Sequence, residues 1–195
     1  MPCVATLDAC VLYPMPLCDS LLRLASAQFF RPVWSSQILD ELVNVFLRKG
    51  RPLDAAIRRR QQMVEAFPDA QYPYREFMSV VPLDVDEGDR HVVAAALASR
   101  PDIIVTDNVR HFAISILETM GIAVLTPSEF LIQQMNLNEL RFRDVLDSQG
   151  AALRPSLNIS ELLSRFVNYQ SFASEAHVRF CGGQLPNSPG TTRKE

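Results

Sequence analysis

Four acidic residues occupy positions where a folded chain rarely leaves a charge. Two of them end short apolar runs and two lie on apolar faces of predicted helices: Asp8, Glu41, Asp89 and Asp107. A carboxylate in such surroundings normally needs a partner, and the hard cations Mg²⁺ and Mn²⁺ prefer carboxylate oxygens. If the fold brings these side chains together, they predict a site for a divalent metal ion.

Asp8 and Asp107 each follow a short apolar run that predicts a strand. The runs cover residues 3–7 and 103–106, and a third run of the same kind covers residues 122–125. Continuous apolar runs of this length are typical of strands that are covered on both faces, as in a parallel sheet. Because the carboxyl ends of parallel strands lie at one edge of the sheet, we expect Asp8 and Asp107 to face a shared crevice.

Glu41 and Asp89 belong to predicted helices. Apolar residues recur at helical spacing between Ile38 and Phe46, after a serine that can cap the helix, and Glu41 shares part of their surface. Residues 86–98 are rich in alanine and predict a second helix, on which Asp89 shares the apolar face of the residues that follow it. Both carboxylates are therefore expected to border the core.

Each acid alone also has an ordinary structural interpretation. Asp89 can be an acid in a first helical turn that reciprocates with Asp86 as the N-cap, and Glu41 can be the partly solvated flank of an amphipathic helix. Asp8 or Asp107 can be a turn residue after a strand. Three neighbouring acids also leave the register of Asp89 open: Asp84, Asp86 and Glu87. The functional interpretation depends on all four acids converging on one concave site.

Four ordered segments carry a resemblance to a known family. They are TLDACVLYP at residues 6–14, ILDEL at 38–42, DEGDRHVVAAA at 86–96 and IVTDN at 104–108. This ordered set, which covers about the first 130 residues, resembles the PIN-domain ribonucleases and among them the VapC-like toxins of type II toxin–antitoxin systems. The resemblance implies a three-layer α/β/α fold with a central parallel sheet, bound Mg²⁺ or Mn²⁺, and endonucleolytic cleavage of RNA.

The resemblance also assigns roles to individual residues. The acidic quartet of the family falls on Asp8, Glu41, Asp89 and Asp107, and the supporting polar residues are Thr106 and Asn108. We expect Asp8 and Asp107 to bind the metal directly, and Asp89 and Glu41 to bind it directly or through water. Glu41 is also a candidate for orienting the attacking water. Arg110, three residues after Asp107, is the candidate contact for a substrate phosphate.

Partners follow from the same resemblance. It implies an RNA substrate, a cognate antitoxin protein that blocks the acidic site, and a homodimer. The alternative is a catalytically weak PIN module that acts as an RNA-binding or protein-interaction scaffold. Cys10, at a position where many members have asparagine, and the net charge of −3 favour this alternative, whereas the four acids favour the nuclease.

Other enzyme classes lack their residues in this chain. No Gly-Lys-Ser/Thr phosphate loop occurs, and no glycine-rich dinucleotide fingerprint follows the first strand. An aspartyl phosphotransferase is a poor alternative, because Cys10 stands where the second acid would follow Asp8. The histidines are too far apart for a local zinc pattern and receive no catalytic role: His91, His111 and His177.

The sequence predicts three segments: a PIN-like nuclease domain over residues 1–130, a helical extension over 131–181 and a disordered tail over 182–195. Within the extension, residues 131–146 and 159–180 predict helices. Asp8 interrupts the apolar start and no stretch reaches the roughly 20 apolar residues of a bilayer span, so we expect no signal peptide, no membrane insertion and a cytoplasmic location.

Two basic clusters, at residues 48–51 and 58–60, follow the predicted Glu41 helix. They can meet RNA phosphates near the site, or they can form a solvated helix face or a contact for an acidic partner. Both interpretations stay open at the level of sequence.

Overall fold

The computed structural model describes residues 2–183 and residue 185, and it divides the chain into two compact units, Met1–Pro127 and Ser128–Glu195. The predicted boundary lies at residue 130. Most of the predicted disordered tail falls outside the described residues. In the part of the chain that the structure describes, no helix is both long and apolar enough to cross a membrane.

The first unit alternates strands and helices. Its elements are β1 (Cys3–Leu7), α1 (Ala9–Leu12), α2 (Leu17–Ser26), β2 (Phe30–Val33), α3 (Ser36–Arg48), α4 (Leu53–Ala66), α5 (Arg90–Ser99), β3 (Ile103–Val105), α6 (Ile114–Thr119) and β4 (Ala123–Leu125). Short 3₁₀ turns lie at Pro68–Ala70, Arg75–Val80, Glu87–Asp89 and Val109–His111. All three strands expected from the apolar runs are present, and β2 is an additional one.

The four strands form one parallel sheet in the order β2-β1-β3-β4. Ala5 pairs with Ile103 across β1 and β3, and Cys3 pairs with Phe30 across β1 and β2. The chain thus adds β2 on one side of β1 and then β3 on the other. Ligands of open parallel sheets bind at such a switch point, beyond the carboxyl ends of the strands. This places the candidate crevice at the ends of β1 and β3.

Helices flank the sheet and bury its strands, which confirms the predicted α/β/α fold. The alanine-rich helix α5 packs against β1, β2 and β3 and is fully buried from Val92 to Ala96. Small side chains let the helix backbone approach the sheet closely, so that α5 fills the layer next to the inner strands. Leu7 of β1 and Val105 of β3 are also fully buried, which keeps water from the strands up to their carboxyl ends.

Two helix starts show how local hydrogen bonds set the element boundaries. The predicted serine cap is confirmed, because the Ser35 hydroxyl accepts a hydrogen bond from the Ile38 N–H at 3.2 Å. The helix predicted from residue 86 begins only at Arg90, which corrects the prediction. Asp86 instead accepts a hydrogen bond from the Gly88 N–H at 3.0 Å and closes a 3₁₀ turn ahead of α5.

The described part of the second unit is helical, and its helices are α7 (Pro127–Leu137), α8 (Glu139–Ala152), α9 (Ile159–Leu163) and α10 (Gln170–Cys181). Both predicted helices of the extension are broken in the structure. Asn138 interrupts the first, because its side chain caps α8 by accepting from the Arg141 N–H at 3.1 Å. The second, predicted over 159–180, is interrupted after Leu163.

The second unit has an aromatic core of its own. The Phe166 and Phe172 rings lie 5.2 Å apart between centroids, and the Phe142 and Phe172 rings lie 5.9 Å apart, each pair in an edge-to-face arrangement. All three side chains are buried. Part of the apolar surface of the helices predicted for the extension is therefore covered by packing inside the extension itself.

Candidate active site

Asp8 lies at the carboxyl end of β1 and is only 3% exposed. Its backbone N–H donates to the Val105 carbonyl at 3.1 Å, so that the pairing of β1 with β3 continues up to the acid. Its Oδ2 accepts hydrogen bonds from the Thr106 hydroxyl at 2.7 Å and from the Cys10 thiol at 3.1 Å. Residues that follow β1 and β3 thus fix this carboxylate from two sides.

Cys10 connects the two strand ends. Its sulfur lies 3.4 Å from the Thr106 hydroxyl and accepts a hydrogen bond from the Asp107 N–H at 3.3 Å. Burial and the negative charge of Asp8 raise the pKa of the Cys10 thiol far above its ordinary value, so the thiol keeps its proton. A protonated thiol at this position can donate to Asp8. The exposed Asp107 side chain lies at the same edge of the sheet.

Asp89 is held by a histidine instead of capping its own helix. It occupies the N-cap position of α5, yet its side chain makes no capping hydrogen bond. Its Oδ2 accepts from Nδ1 of His111 at 2.9 Å, and the side chain is 17% exposed. Burial raises the pKa of the Asp89 carboxyl and so does the charge of Asp8, although the bond to His111 opposes them. The Asp86 N–H donates instead to the His111 carbonyl at 2.9 Å, so Asp89 does not reciprocate with Asp86 as the alternative interpretation expected.

Glu41 also faces a histidine. Its Oε2 lies 3.3 Å from Nε2 of His91, whose ring is 2% exposed and donates through Nδ1 to the Gly88 carbonyl at 2.9 Å. Burial lowers the pKa of His91, but the Glu41 carboxylate and the Gly88 carbonyl raise it more, so its pKa lies above the ordinary value. The Glu41 side chain is 37% exposed and borders the core, as predicted.

The charge of Asp8 acts on the Asp89 carboxyl and on the His91 imidazole. It raises the pKa of Asp89 and also that of His91, which places Asp8, Asp89 and the Glu41–His91 pair in one electrostatic neighbourhood. Carboxylates this close repel one another, and a cation between them relieves the repulsion. Three of the predicted acids, Asp8, Glu41 and Asp89, therefore lie in one region of the first unit, and Glu41 and Asp89 each face a histidine.

The donor set fits a hard divalent cation only in part. Among residues 2–183 and 185, no group of three or more histidine, cysteine or acidic side chains is placed to hold a metal ion. Asp8 and Asp89 are nevertheless oxygen donors, and the charge of Asp8 raises the pKa of Asp89. Mg²⁺ commonly binds through one or two carboxylates while keeping several waters. A two-carboxylate site is compatible with this geometry, whereas a complete protein cage is not.

The remaining predicted residues take peripheral or structural positions. The Asn108 N–H donates to the Thr106 hydroxyl at 3.0 Å, so this residue supports Thr106 through its backbone. Arg110 is exposed beside the site. In the second basic cluster, Arg59 donates to the Cys18 sulfur at 3.1 Å and Arg60 contacts an acid of α3 at 2.9 Å, so these two side chains have structural roles.

A comparison with protein families identifies the fold. The model of the PIN domain matches residues 5–110, which is more than half of the chain and includes all four acids. The chain belongs to the PIN-domain family. The parallel sheet and the flanking helices of this PIN domain agree with the fold implied by the resemblance of the four sequence segments.

The chain is also similar to a curated protein. The PIN domain is similar to the "Putative ribonuclease VapC50" of Mycobacterium tuberculosis, with 45% identity over 97 residues, which is 49% of this chain and 57% of the relative. The match thus spans little more than half the length of that protein. No solved structure matches the chain.

The histidine contacts were missed by reasoning from the sequence. His91 lies 50 positions from Glu41 along the chain, and His111 lies 22 positions from Asp89, so no local spacing links them. The one sequence feature that could have pointed to them is the absence of any lysine or arginine predicted to pair with the inward-facing acids. A buried acid without such a cation leaves histidine as the remaining basic partner.

Proposed function

We propose that this PIN domain is a metal-dependent endoribonuclease and the toxin component of a toxin–antitoxin pair. The observation that carries the proposal is the buried Asp8 carboxylate beside Asp89 at the switch point of the sheet. Evolution of a stable core alone does not favour two repelling carboxylates in such a place. The name of the similar mycobacterial protein, a putative ribonuclease, supports the same chemistry.

In the proposed site, residues of this chain would hold the metal ion, keep one of its ligands in place and orient the attacking water. Asp8 and Asp89 would hold the ion, and Thr106 and Cys10 keep Asp8 in place through their hydrogen bonds to its Oδ2. When bound, Mg²⁺ or Mn²⁺ supplies activation of water and stabilisation of the leaving oxygen. The half-exposed Glu41 carboxylate is available to orient that water, since only its Oε2 faces His91.

Asp107 and Arg110 would complete the site from the solvent side. Both side chains are exposed after β3, where a substrate strand can approach them. Asp107 would add an oxygen donor to the ion, and Arg110 would contact a phosphate. In this arrangement the acids bind the metal and the arginine counters the charge of the RNA backbone.

The decisive experiment is cleavage of a mixed RNA pool by the purified full-length chain. Reactions contain Mn²⁺, Mg²⁺ or a chelator, and Asp8→Asn is compared with wild type. Asparagine keeps an oxygen that accepts from Thr106 and Cys10 while it removes the charge, so the variant tests chemistry more than packing. Asp40→Asn is the matched control, because this exposed acid next to Glu41 pairs with Arg60.

Cleavage that needs the metal, disappears in Asp8→Asn and survives in Asp40→Asn is the expected result. A folded wild-type chain that cleaves no RNA with either ion contradicts the nuclease. The toxin proposal has a separate test: a short adjacent reading frame should encode a protein that binds this chain and stops cleavage. We also propose that the protein acts in the cytoplasm and that it forms a homodimer. Light scattering of the purified chain would detect the dimer.

The second candidate is a catalytically weak PIN module that binds RNA or protein. Three observations favour it. The described residues contain no three-ligand metal cluster, and His91 and His111 contact two of the four acids. In addition, Cys10 replaces an asparagine that is common in the family. Binding of RNA by the chain without cleavage, in the presence of Mn²⁺, would decide for this candidate.

A further inference from the structure

The turn that carries Asp89 is bound on two sides by histidine residues. On one side, the His111 carbonyl accepts from the Asp86 N–H at 2.9 Å, and the His111 ring donates to Asp89 at 2.9 Å. On the other side, the His91 ring donates to the Gly88 carbonyl at 2.9 Å. Every residue from Asp86 to Asp89 except Glu87 is thus tied to one of the two histidines.

The same histidines join elements that are remote in sequence. His91 belongs to α5 and faces Glu41 of α3, whereas His111 ends the 3₁₀ turn that follows β3. Together they connect α3, the turn at Glu87–Asp89 and the segment after β3. We name this pair, His91 and His111, the histidine bracket.

We propose that the histidine bracket positions the acidic site, with His111 holding the Asp89 carboxylate and His91 holding, through the Gly88 carbonyl, the turn that carries Asp89. The inference rests on the proposed nuclease function and adds two positioning residues to it. Neither histidine is expected to touch RNA or to exchange a proton with it.

The position of Asp89 explains why such a residue is needed. The Asp89 backbone has helical angles (φ −103°, ψ −3°) instead of the extended angles of a capping residue, and its side chain makes no hydrogen bond to α5. The charge of Asp8 repels the Asp89 carboxylate, which favours a conformation that points away from Asp8. The hydrogen bond from His111 opposes that conformation. Without His111, the Asp89 carboxylate is expected to rotate away from Asp8.

The opposition between this repulsion and the hydrogen bond from His111 makes it possible to distinguish a positioning role of His111 from a purely structural one. If His111 only stabilises the fold, then removing its ring lowers stability and activity together. If it positions Asp89, then relief of the repulsion between Asp89 and Asp8 offsets part of the lost bond, and the variant keeps its unfolding midpoint while it loses metal affinity. Loss of a side chain that orients a metal ligand typically costs about 10- to 100-fold in affinity or activity.

The test uses the full chain with His111→Ala, His111→Asn and His177→Asn. Asparagine places an N–H donor near the position of Nδ1, so it should restore the bond to Asp89. His177→Asn is the control for loss of an imidazole, since this buried histidine bonds Ser160 in the second unit. The readouts are Mn²⁺ affinity from titration, kcat and KM for RNA cleavage, the unfolding midpoint and the crystal structure of metal-free His111→Ala.

The bracket predicts a Mn²⁺ affinity about 10- to 100-fold weaker in His111→Ala, a lower kcat with little change in KM, and near wild-type values in His111→Asn and His177→Asn. Wild-type affinity in His111→Ala overturns the inference, and so does failure of His111→Asn to restore it. If wild type cleaves no RNA, the proposed function fails, but Mn²⁺ affinity still tests the bracket. If it binds no Mn²⁺ either, the crystal structure decides: an unmoved Asp89 side chain overturns the inference.

Discussion

Replacement of Thr106 by valine isolates the hydrogen bond that holds the Asp8 carboxylate. Thr106 is fully buried, and its hydroxyl donates to Asp8 Oδ2 at 2.7 Å. Valine has nearly the same shape, so the change removes the donor and leaves the packing. A hydrogen bond to a charged group contributes about 1.5–3 kcal/mol, and the Asn108 N–H that also loses a partner is reachable by water. We therefore expect the free energy of unfolding to fall by about 1.5–3 kcal/mol.

The protein contains its own reporter for this measurement. Trp34 is the single tryptophan of the chain, is fully buried and belongs to the first unit. Urea unfolding followed by its fluorescence therefore reports on the unit that contains Asp8, independently of the helical extension. The experiment is done with a chelator, because an ion bound to Asp8 would change the stability of the wild type.

Thr119→Val is the matched control. Its hydroxyl donates to the Ile116 carbonyl at 2.7 Å on the exposed surface of α6, where water replaces the lost bond. We expect this control to change the free energy of unfolding by less than about 0.5 kcal/mol. If Thr106→Val is as stable as wild type, or if both variants lose the same free energy, then the hydroxyl does not hold a buried charge and the reasoning about Asp8 is wrong.

Three further predictions concern both units. Gly150→Ala should destabilise the second unit by about 1–3 kcal/mol despite the better helix propensity of alanine, because the new Cβ would lie 2.3 Å from the Leu157 carbonyl; circular dichroism should show no such loss for Ser148→Ala. Burial raises the pKa of the Cys18 thiol to about 11, so at pH 8 about 0.1% of it is thiolate, and mass spectrometry should find it alkylated quickly only in denaturant. Removing metal with a chelator should stop RNA cleavage, and adding Mn²⁺ should restore it; cleavage that persists in chelator contradicts the metal-dependent mechanism.

The sheet was predictable because its strands are continuous apolar runs. Residues 5–7 and 103–105 are buried on both faces, and such strands differ from helices in length and in their β-branched residues. β2 was missed, since Phe30–Val33 includes a proline and an exposed arginine, a pattern typical of an edge strand. The edge position in the observed strand order agrees with this composition.

The acids were predictable as a set, but their contacts were not. Residue type and position after a strand pointed to Asp8 and Asp107, because neither depends on distant parts of the chain. The pairing of Glu41 with His91 depends on how α3 packs near α5, which no local pattern encodes. The direct role of each acid in metal binding stays a prediction.

The helical extension shows the limit of periodicity. Apolar spacing predicts a helix over 159–180, but it does not detect where the chain leaves one helix and starts another. The start of α9 was encoded locally: Asn158 accepts from the Glu161 N–H at 2.9 Å and the Glu161 side chain accepts from the Asn158 N–H at 2.8 Å. The segment after its end contains Phe166, whose buried ring packs against Phe172 of α10.

The position of β3 beside β1 makes the candidate site a late product of synthesis. The hydrogen bond between Thr106 and Asp8 joins residues that are 98 positions apart, and His111 lies further along still. β1 and β2 are close in sequence and can pair while the chain is short, but the acids converge only after a long loop has closed. The ribosome therefore has to synthesise most of the first unit before the nascent chain can assemble the site. Chains that stop before residue 111 should contain Asp8, Glu41 and Asp89 yet lack the contacts that assemble the proposed site.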